Sequence, residues 1–186
     1  MRAFLAVKIP VDIQEKYASL CKPLRKGSIL SFIKQEKMHI TLSFFPDLPE
    51  SKINDVINIC STINIQPFTI NCDNIGLFKR KGIPSTVFIK IVSEKLQLYT
   101  TKIHEELLTL NIPFDNRKPF TPHITIARIR EMLDEDLFMQ DYKFITKKFQ
   151  KSSFTAESIN LYSSDMINYK IIASHNFSIN NDDIII

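Results

Sequence analysis

The chain has 186 residues, 44% of them hydrophobic, and a formal net charge of +4. That is apolar enough for one compact domain or two small lobes sharing a core, and too mildly basic to coat a long nucleic-acid duplex. The three glycines, Gly27, Gly76 and Gly82, exclude a Gly-rich phosphate loop or a dinucleotide fingerprint, and the three scattered cysteines, Cys21, Cys60 and Cys72, fit neither a disulfide framework nor a zinc knuckle.

In chain order, the apolar start at residues 1–7 is interrupted by Lys8 and Pro10, too soon for a signal peptide or a membrane span. With unpaired cysteines, this sets the expectation of a cytoplasmic protein in a reducing compartment, with no membrane partner. Residues 2–9 read as a strand, 11–20 as a short helix stopped near Pro23, and 30–33 as a strand after the Gly27-Ser28 turn. Residues 39–45 form the next strand, closed by Pro46 and Pro49. Ser51 takes a capping position ahead of Ile53, Val56, Ile57, Cys60 and Ile63, which lie at helical spacing. Alternation at Phe68, Ile70 and Cys72, and again at Val87, Ile89 and Ile91, predicts a hairpin turning at Lys79-Arg80-Lys81-Gly82. A second helix follows over 93–110, then a proline-rich connector over 113–122 and a strand over 123–128. Residues 131–142 read as a helix, 154–162 and 169–179 as closing strands, and 180–186 as a loose tail. Nothing resembles a linker, so the expectation is one two-lobed domain over 1–186, with a repeat seam near residue 93. Its class is α+β with mostly antiparallel sheet.

The chemistry concentrates in two echoing units, Met38-His39-Ile40-Thr41-Leu42 and Pro122-His123-Ile124-Thr125-Ile126, 84 residues apart. In an extended strand His39 and Thr41 share one face while Ile40 and Leu42 share the other, and the same holds for His123 and Thr125. The apolar face belongs to a core, which leaves imidazole and hydroxyl together for chemistry. Ile75-x-Leu77-Phe78 recurs at the same offset as Ile159-x-Leu161-Tyr162, and Phe68-Thr69 recurs as Phe154-Thr155 with a two-residue slip. These echoes point to a duplicated unit. One His-x-Thr arises readily by chance, whereas two at a repeat offset with matched apolar neighbours do not. Two histidines suit acid–base chemistry because imidazole titrates near neutrality, so one ring can accept a proton while the other donates. Each Thr hydroxyl is placed to bond a phosphate oxygen. Two histidines without a nearby paired carboxylate or thiolate fall short of a zinc ligand set, so no metal is expected. His104 and His175 lack the Thr and are read as structural.

Four stretches carry a resemblance: Arg2-Ala3-Phe4-Leu5-Ala6, His39-Ile40-Thr41-Leu42-Ser43-Phe44, residues 119–128 ending in Ile126-Ala127-Arg128, and Leu161-Tyr162-Ser163-Ser164. Through them the whole chain resembles the bacterial and archaeal RNA 2′,3′-cyclic phosphodiesterases, also described as 2′-5′ RNA ligases, of the two-histidine phosphoesterase superfamily. The resemblance implies two pseudo-symmetric lobes of mostly antiparallel sheet, with helices packed outside and a groove between them. It implies that His39 and His123 are the catalytic pair and that Thr41 and Thr125 bind phosphate. Phe44 and Arg128, each five residues past its histidine, correspond to auxiliary substrate contacts, although strand parity would aim both away unless a bulge intervenes. The implied reaction is metal-independent opening of an RNA terminal 2′,3′-cyclic phosphate to a 2′-phosphate, with His123 as base, His39 as acid and no cofactor. Implied partners are RNA 3′ ends or small cyclic nucleotides, handled by a monomer. A phosphodiesterase of 2′-5′ linked oligonucleotides or small cyclic nucleotides and a non-catalytic RNA-end-binding module are the competing readings. Lys79, Arg80 and Lys81, and the group Lys143, Lys147, Lys148 and Lys151, are candidates for steering RNA or simply solvated surface. One departure stands out: Phe45-Pro46 occupies a position where the family usually has Leu-Gly.

Overall fold

The computed structural model describes residues 1–116, 119–165 and 168–177. The tail expected over 180–186 lies outside the described residues. The elements run β1 (Ala3–Lys8), α1 (Val11–Ala18), β2 (Ser28–Phe32), β3 (His39–Phe45), α2 (Ile53–Thr62), β4 (Phe68–Arg80) and β5 (Ile83–Val92). There follow α3 (Glu94–Thr109), β6 (His123–Met132), α4 (Glu135–Lys147), β7 (Ser152–Ala156), β8 (Ser158–Ser164) and β9 (Tyr169–Asn176). Among the described residues the strands form one curled antiparallel sheet in the order β7-β4-β5-β6-β3-β1-β8-β9, with β2 also paired to β6.

The sheet parts at its middle, and this makes the groove. β3 meets β6 through one residue pair, Ile40 opposite Ile124, and further along β6 the partner is β2, from Ala127 to Met132. Strands β3-β1-β8-β9 form one lobe, and β7-β4-β5-β6 with β2 form the other. The lobes are not the two halves of the chain. β2, β4 and β5 come from the first half but lie in the second lobe, and β8 and β9 come from the second half but lie in the first, where β8 pairs β1. α2 packs on β8 and β9, and α3 on β3 and β4. Buried on them are Val56, Ile59 and Cys60 from α2 and Leu96, Ile103 and Leu107 from α3.

Local chemistry fixes the element ends. Lys81 and Gly82 both have positive φ, 52° and 84°. Together they make the two-residue loop of the β4–β5 hairpin, the backbone hand that suits a right-twisted strand pair. Ser93 Oγ accepts the Leu96 N–H to cap α3, and Asp134 Oδ1 accepts the Leu137 N–H to cap α4. Three expectations need correction. Ser51 caps nothing: it lies in a short 3₁₀ turn, Glu50–Lys52, and α2 begins after it with no side-chain cap. The helix expected over 131–142 starts at Glu135, because pairing with β2 keeps the chain extended to Met132. The strand expected over 154–162 is two strands broken at Glu157. β7 pairs β4 and β8 pairs β1, and burial passes from the even positions Phe154 and Ala156 to the odd positions Ile159 and Leu161.

Both His-x-Thr strands carry a bulge at the same place. Opposite β3, Leu5 faces Ser43 but Ala6 faces Thr41, so Leu42 is extra. Opposite β6, Val87 faces Ala127 but Phe88 faces Thr125, so Ile126 is extra. Each bulge frees a carbonyl, and each is satisfied from outside. His104 Nε2 donates to Leu42 O at 2.9 Å, and Ile33 N–H donates to Ile126 O at 3.0 Å. His104 therefore ties α3 to β3, the structural role expected for it. Ser43 is 2% exposed, and its hydroxyl has no hydrogen-bond partner among the described residues. Ser43→Ala should leave urea stability unchanged or raise it, whereas His104→Ala, which orphans a buried carbonyl, should cost about 1–3 kcal/mol. A Ser43→Ala protein that is clearly less stable would show that the hydroxyl has a partner.

Candidate active site

Bulging reverses strand parity, and that gathers the site. Past Leu42 and Ile126 the side chains change faces, so Phe44 rejoins the face of His39 and Thr41, and Arg128 that of His123 and Thr125. All six line one cavity of about 180 Å³ at the meeting of the lobes. The antiparallel register that sets Ile40 opposite Ile124 places His39 diagonally from His123, with a threonine beside each. Every residue singled out in the sequence for the site is thus brought together. Phe45 is fully buried and Pro46 lies past the end of β3, so the departure from the family pattern does not touch this cavity.

The two imidazoles are anchored alike. His39 Nδ1 lies 2.7 Å from Lys37 O, and His123 Nδ1 lies 2.7 Å from Thr121 O. A carbonyl only accepts, so Nδ1 carries the proton in each ring, and Nε2 is the nitrogen left for the cavity. Their walls differ. His39 is stacked on Phe4, with centroids 4.6 Å apart, and Phe4 in turn stacks on Tyr162, while Tyr169 meets His39 edge-on. His123 stands edge-on to Phe78 and Phe88, which stack on each other at 4.1 Å. Gly76 sits opposite Phe88 in the β4–β5 register, and a Cβ there would collide with the Phe88 ring. The glycine lets that wall lie flat.

The family model described as LigT like phosphoesterase matches residues 7–89 and again residues 89–172. The chain belongs to this family. Among the relatives of this LigT-like phosphoesterase, a Methanocaldococcus jannaschii protein named RNA 2′,3′-cyclic phosphodiesterase is 28% identical over 89% of the chain and 92% of its own length. An Archaeoglobus fulgidus protein of the same name is 30% identical over 83% of the chain and 84% of its own length. In fold, a Thermus thermophilus protein superimposes with a TM-score of 0.77 at 19% identity, covering 95% of this chain and 98% of the other. Escherichia coli LigT complexed with 3′-AMP superimposes with a TM-score of 0.71 at 19% identity and the same coverage.

The electrostatics of this LigT-like site are asymmetric. Burial pulls His39 down from its ordinary value to about 4, opposed by the Lys37 carbonyl and helped by His123 and Arg128. Burial also lowers His123, again opposed by a carbonyl, that of Thr121, and helped by Arg128. One cation thus acts on both rings. The three cysteines are free and buried, and burial pushes the Cys21 and Cys60 thiols up to about 12, well away from nucleophilic use. Among the described residues no three His, Cys, Asp or Glu gather as a metal ligand set, and no helix is long and apolar enough to cross a membrane. None of the lysines in the two basic groups lines the cavity.

Sequence reasoning did not single out the aromatic walls or Arg2. The signal was present for four of them, since Phe4 and Phe88 share the 84-residue offset, as do Phe78 and Tyr162. Arg2 packs its guanidinium on the Phe44 ring at 4.6 Å and also lines the cavity.

The depressed His39 makes stability pH-dependent. Above the ordinary value of 6.5 the ring is neutral folded and unfolded, and its contribution is complete. As pH falls from there towards 4, the unfolded chain takes up a proton that the folded ring refuses, and stability is lost. Between about pH 7.5 and about pH 4.5 the wild type should lose roughly 2.5 kcal/mol more than His39→Gln in urea denaturation. Parallel losses in the two proteins would mean that burial does not hold His39 neutral.

Proposed function

We propose that this chain hydrolyses the terminal 2′,3′-cyclic phosphate of RNA to a 2′-phosphate by acid–base catalysis through His39 and His123. The observation that carries the reading is the pairing of two tautomer-fixed imidazoles across one small cavity, each with a threonine beside it. The relatives named RNA 2′,3′-cyclic phosphodiesterase support the choice of substrate. Water attacks phosphorus as one imidazole takes its proton. The bond from phosphorus to the 3′-oxygen breaks, and that oxygen leaves with a proton from the other imidazole. Thr41 and Thr125 donate hydroxyl hydrogen bonds to the non-bridging oxygens, and Arg128 offsets charge growing on them. Phe44 forms the wall against which the ribose rests.

In keeping with the family resemblance, His123 is assigned as base and His39 as acid. His39 is mostly unprotonated at neutral pH in the free protein, so loading its proton depends on the bound phosphate, whose negative charge raises both rings. The reaction is written without a metal, and excess chelator tests that directly. Turnover of a cyclic-phosphate RNA end should persist in chelator and fall by at least about 100-fold in His39→Ala and in His123→Ala. A substrate with sulfur in place of the 3′-oxygen needs no proton on its leaving group. It should rescue His39→Ala and not His123→Ala, and the reverse pattern would exchange the two roles. Activity lost in chelator and restored only by a divalent ion would overturn the metal-free reading.

Thr41→Val and Thr125→Val each keep the shape of the strand and delete one hydroxyl. Each should cost about 1.5–3 kcal/mol of transition-state stabilisation, read as a fall in kcat/KM. Unchanged kinetics in both would mean that neither hydroxyl meets the phosphate.

A further inference from the structure

The central cavity opens in two directions whose linings differ. Towards the second lobe it continues, past Phe44 and Arg128, into a groove of about 500 Å³ walled by Phe78, Pro119 and Phe120. Towards the edge of the first lobe it continues, past Arg2 and Ser164, into a polar hollow of about 330 Å³ that includes Ser163, Asn168 and Lys170. The central space suits a cyclic phosphate and its ribose, with no room for a base as well. From that ribose two groups depart at opposite ends of the ring, the base from C1′ and the 5′-oxygen by way of C4′. A base has flat apolar faces that stack on aromatic rings. The 5′-oxygen of an RNA strand carries a phosphodiester anion, which needs cations and N–H or O–H donors.

The polar hollow supplies the cations, Arg2 and Lys170, while its Ser163 hydroxyl donates to Lys170 O at 3.4 Å. The Arg2 guanidinium lies over the Phe44 ring at 4.6 Å, which restrains the side chain, and the Ser164 N–H bonds Arg2 O at 3.0 Å, which fixes its backbone. Lys170 stands on β9 opposite Ser163. The carboxylate of Asp165 also faces the hollow, where it accepts the backbone N–H and side-chain amide of Asn168 within its own turn. The amino terminus of Met1, at the same rim, bonds Asp47 and Leu48 O.

We propose that the hollow beside Arg2 and Lys170 is a subsite for the phosphodiester on the 5′ side of the terminal nucleotide. It makes the chain a reader of RNA strand ends in preference to free nucleoside 2′,3′-cyclic phosphates, with the terminal base in the aromatic groove. The inference rests on the reaction proposed above and deepens it.

The test compares adenosine 2′,3′-cyclic phosphate with the same nucleotide bearing a 5′-phosphate. The 5′-phosphate should raise kcat/KM by about tenfold, mainly through KM, and the advantage should shrink as salt rises. Lys170→Glu should abolish the advantage and leave turnover of the unphosphorylated probe unchanged, whereas Lys170→Arg should keep it. Equal rates for the two probes, or an equal loss on both in Lys170→Glu, would overturn the subsite. If neither probe is opened, the proposed reaction fails while the subsite is still decided by binding. Adenosine 3′,5′-bisphosphate should then bind about tenfold tighter than adenosine 3′-monophosphate to the wild type and no tighter to Lys170→Glu. Equal affinities in the wild type would overturn it.

Discussion

The site depends on a meeting of two strands that is almost too brief to be a pairing. β3 and β6 face each other at Ile40 and Ile124, both buried in the core, and then separate. A longer ladder would close the sheet flat and leave no groove. No contact at all would let the lobes drift, and acid–base chemistry on one phosphate demands rings held to within a fraction of an ångström. The paired bulges complete the arrangement, because the extra residue in each strand turns the chain so that the position five past the histidine returns to the groove. His104 and Ile33 stabilise that turn by taking the carbonyls it releases.

On this near-symmetric frame the differences are local. Phe44 and Arg128 occupy equivalent positions, one apolar and one cationic, and the Phe44 side gains its cation from Arg2, packed on the ring at 4.6 Å. His39 lies face to face with Phe4 and is capped by Tyr169, while His123 touches its aromatic neighbours only by their edges. Two identical side chains on equivalent strands thereby acquire unequal proton affinities. That order runs against the acid role proposed for His39, whose proton has to be loaded with the help of the bound phosphate.

Much of this was legible in the sequence, for reasons that can be named. The His-x-Thr faces could be read because strand parity is strict over a few residues, and the 84-residue echo marked both copies at once. The β4–β5 hairpin could be read because Lys81-Gly82 is a turn signal. The bulges could not be placed. Neither Leu42-Ser43 nor Ile126-Ala127 contains a glycine or other irregular residue, so parity alone aimed Phe44 and Arg128 the wrong way. Resemblance named those two residues, and only backbone register shows why they reach the groove. The aromatic walls stayed hidden because a strand phenylalanine looks the same whether it faces a core or a substrate. The break at Glu157 left a trace in the shift from even to odd apolar positions. The exchange of β4 and β8 between lobes left none, since antiparallel pairing carries no local record of its partner.

That exchange sets when the protein can begin to work. Phe4 and Tyr162, which stack in sequence behind His39, come from strands β1 and β8, among the first and last elements of the described chain. During synthesis His39 and its threonine emerge early but stand without a completed wall until β8 leaves the ribosome. β1 must wait as a strand with one empty edge while more than a hundred residues are added. The nascent chain therefore holds its reactive groups in an unfinished site. Only pairing of β8 with β1 completes the wall behind His39.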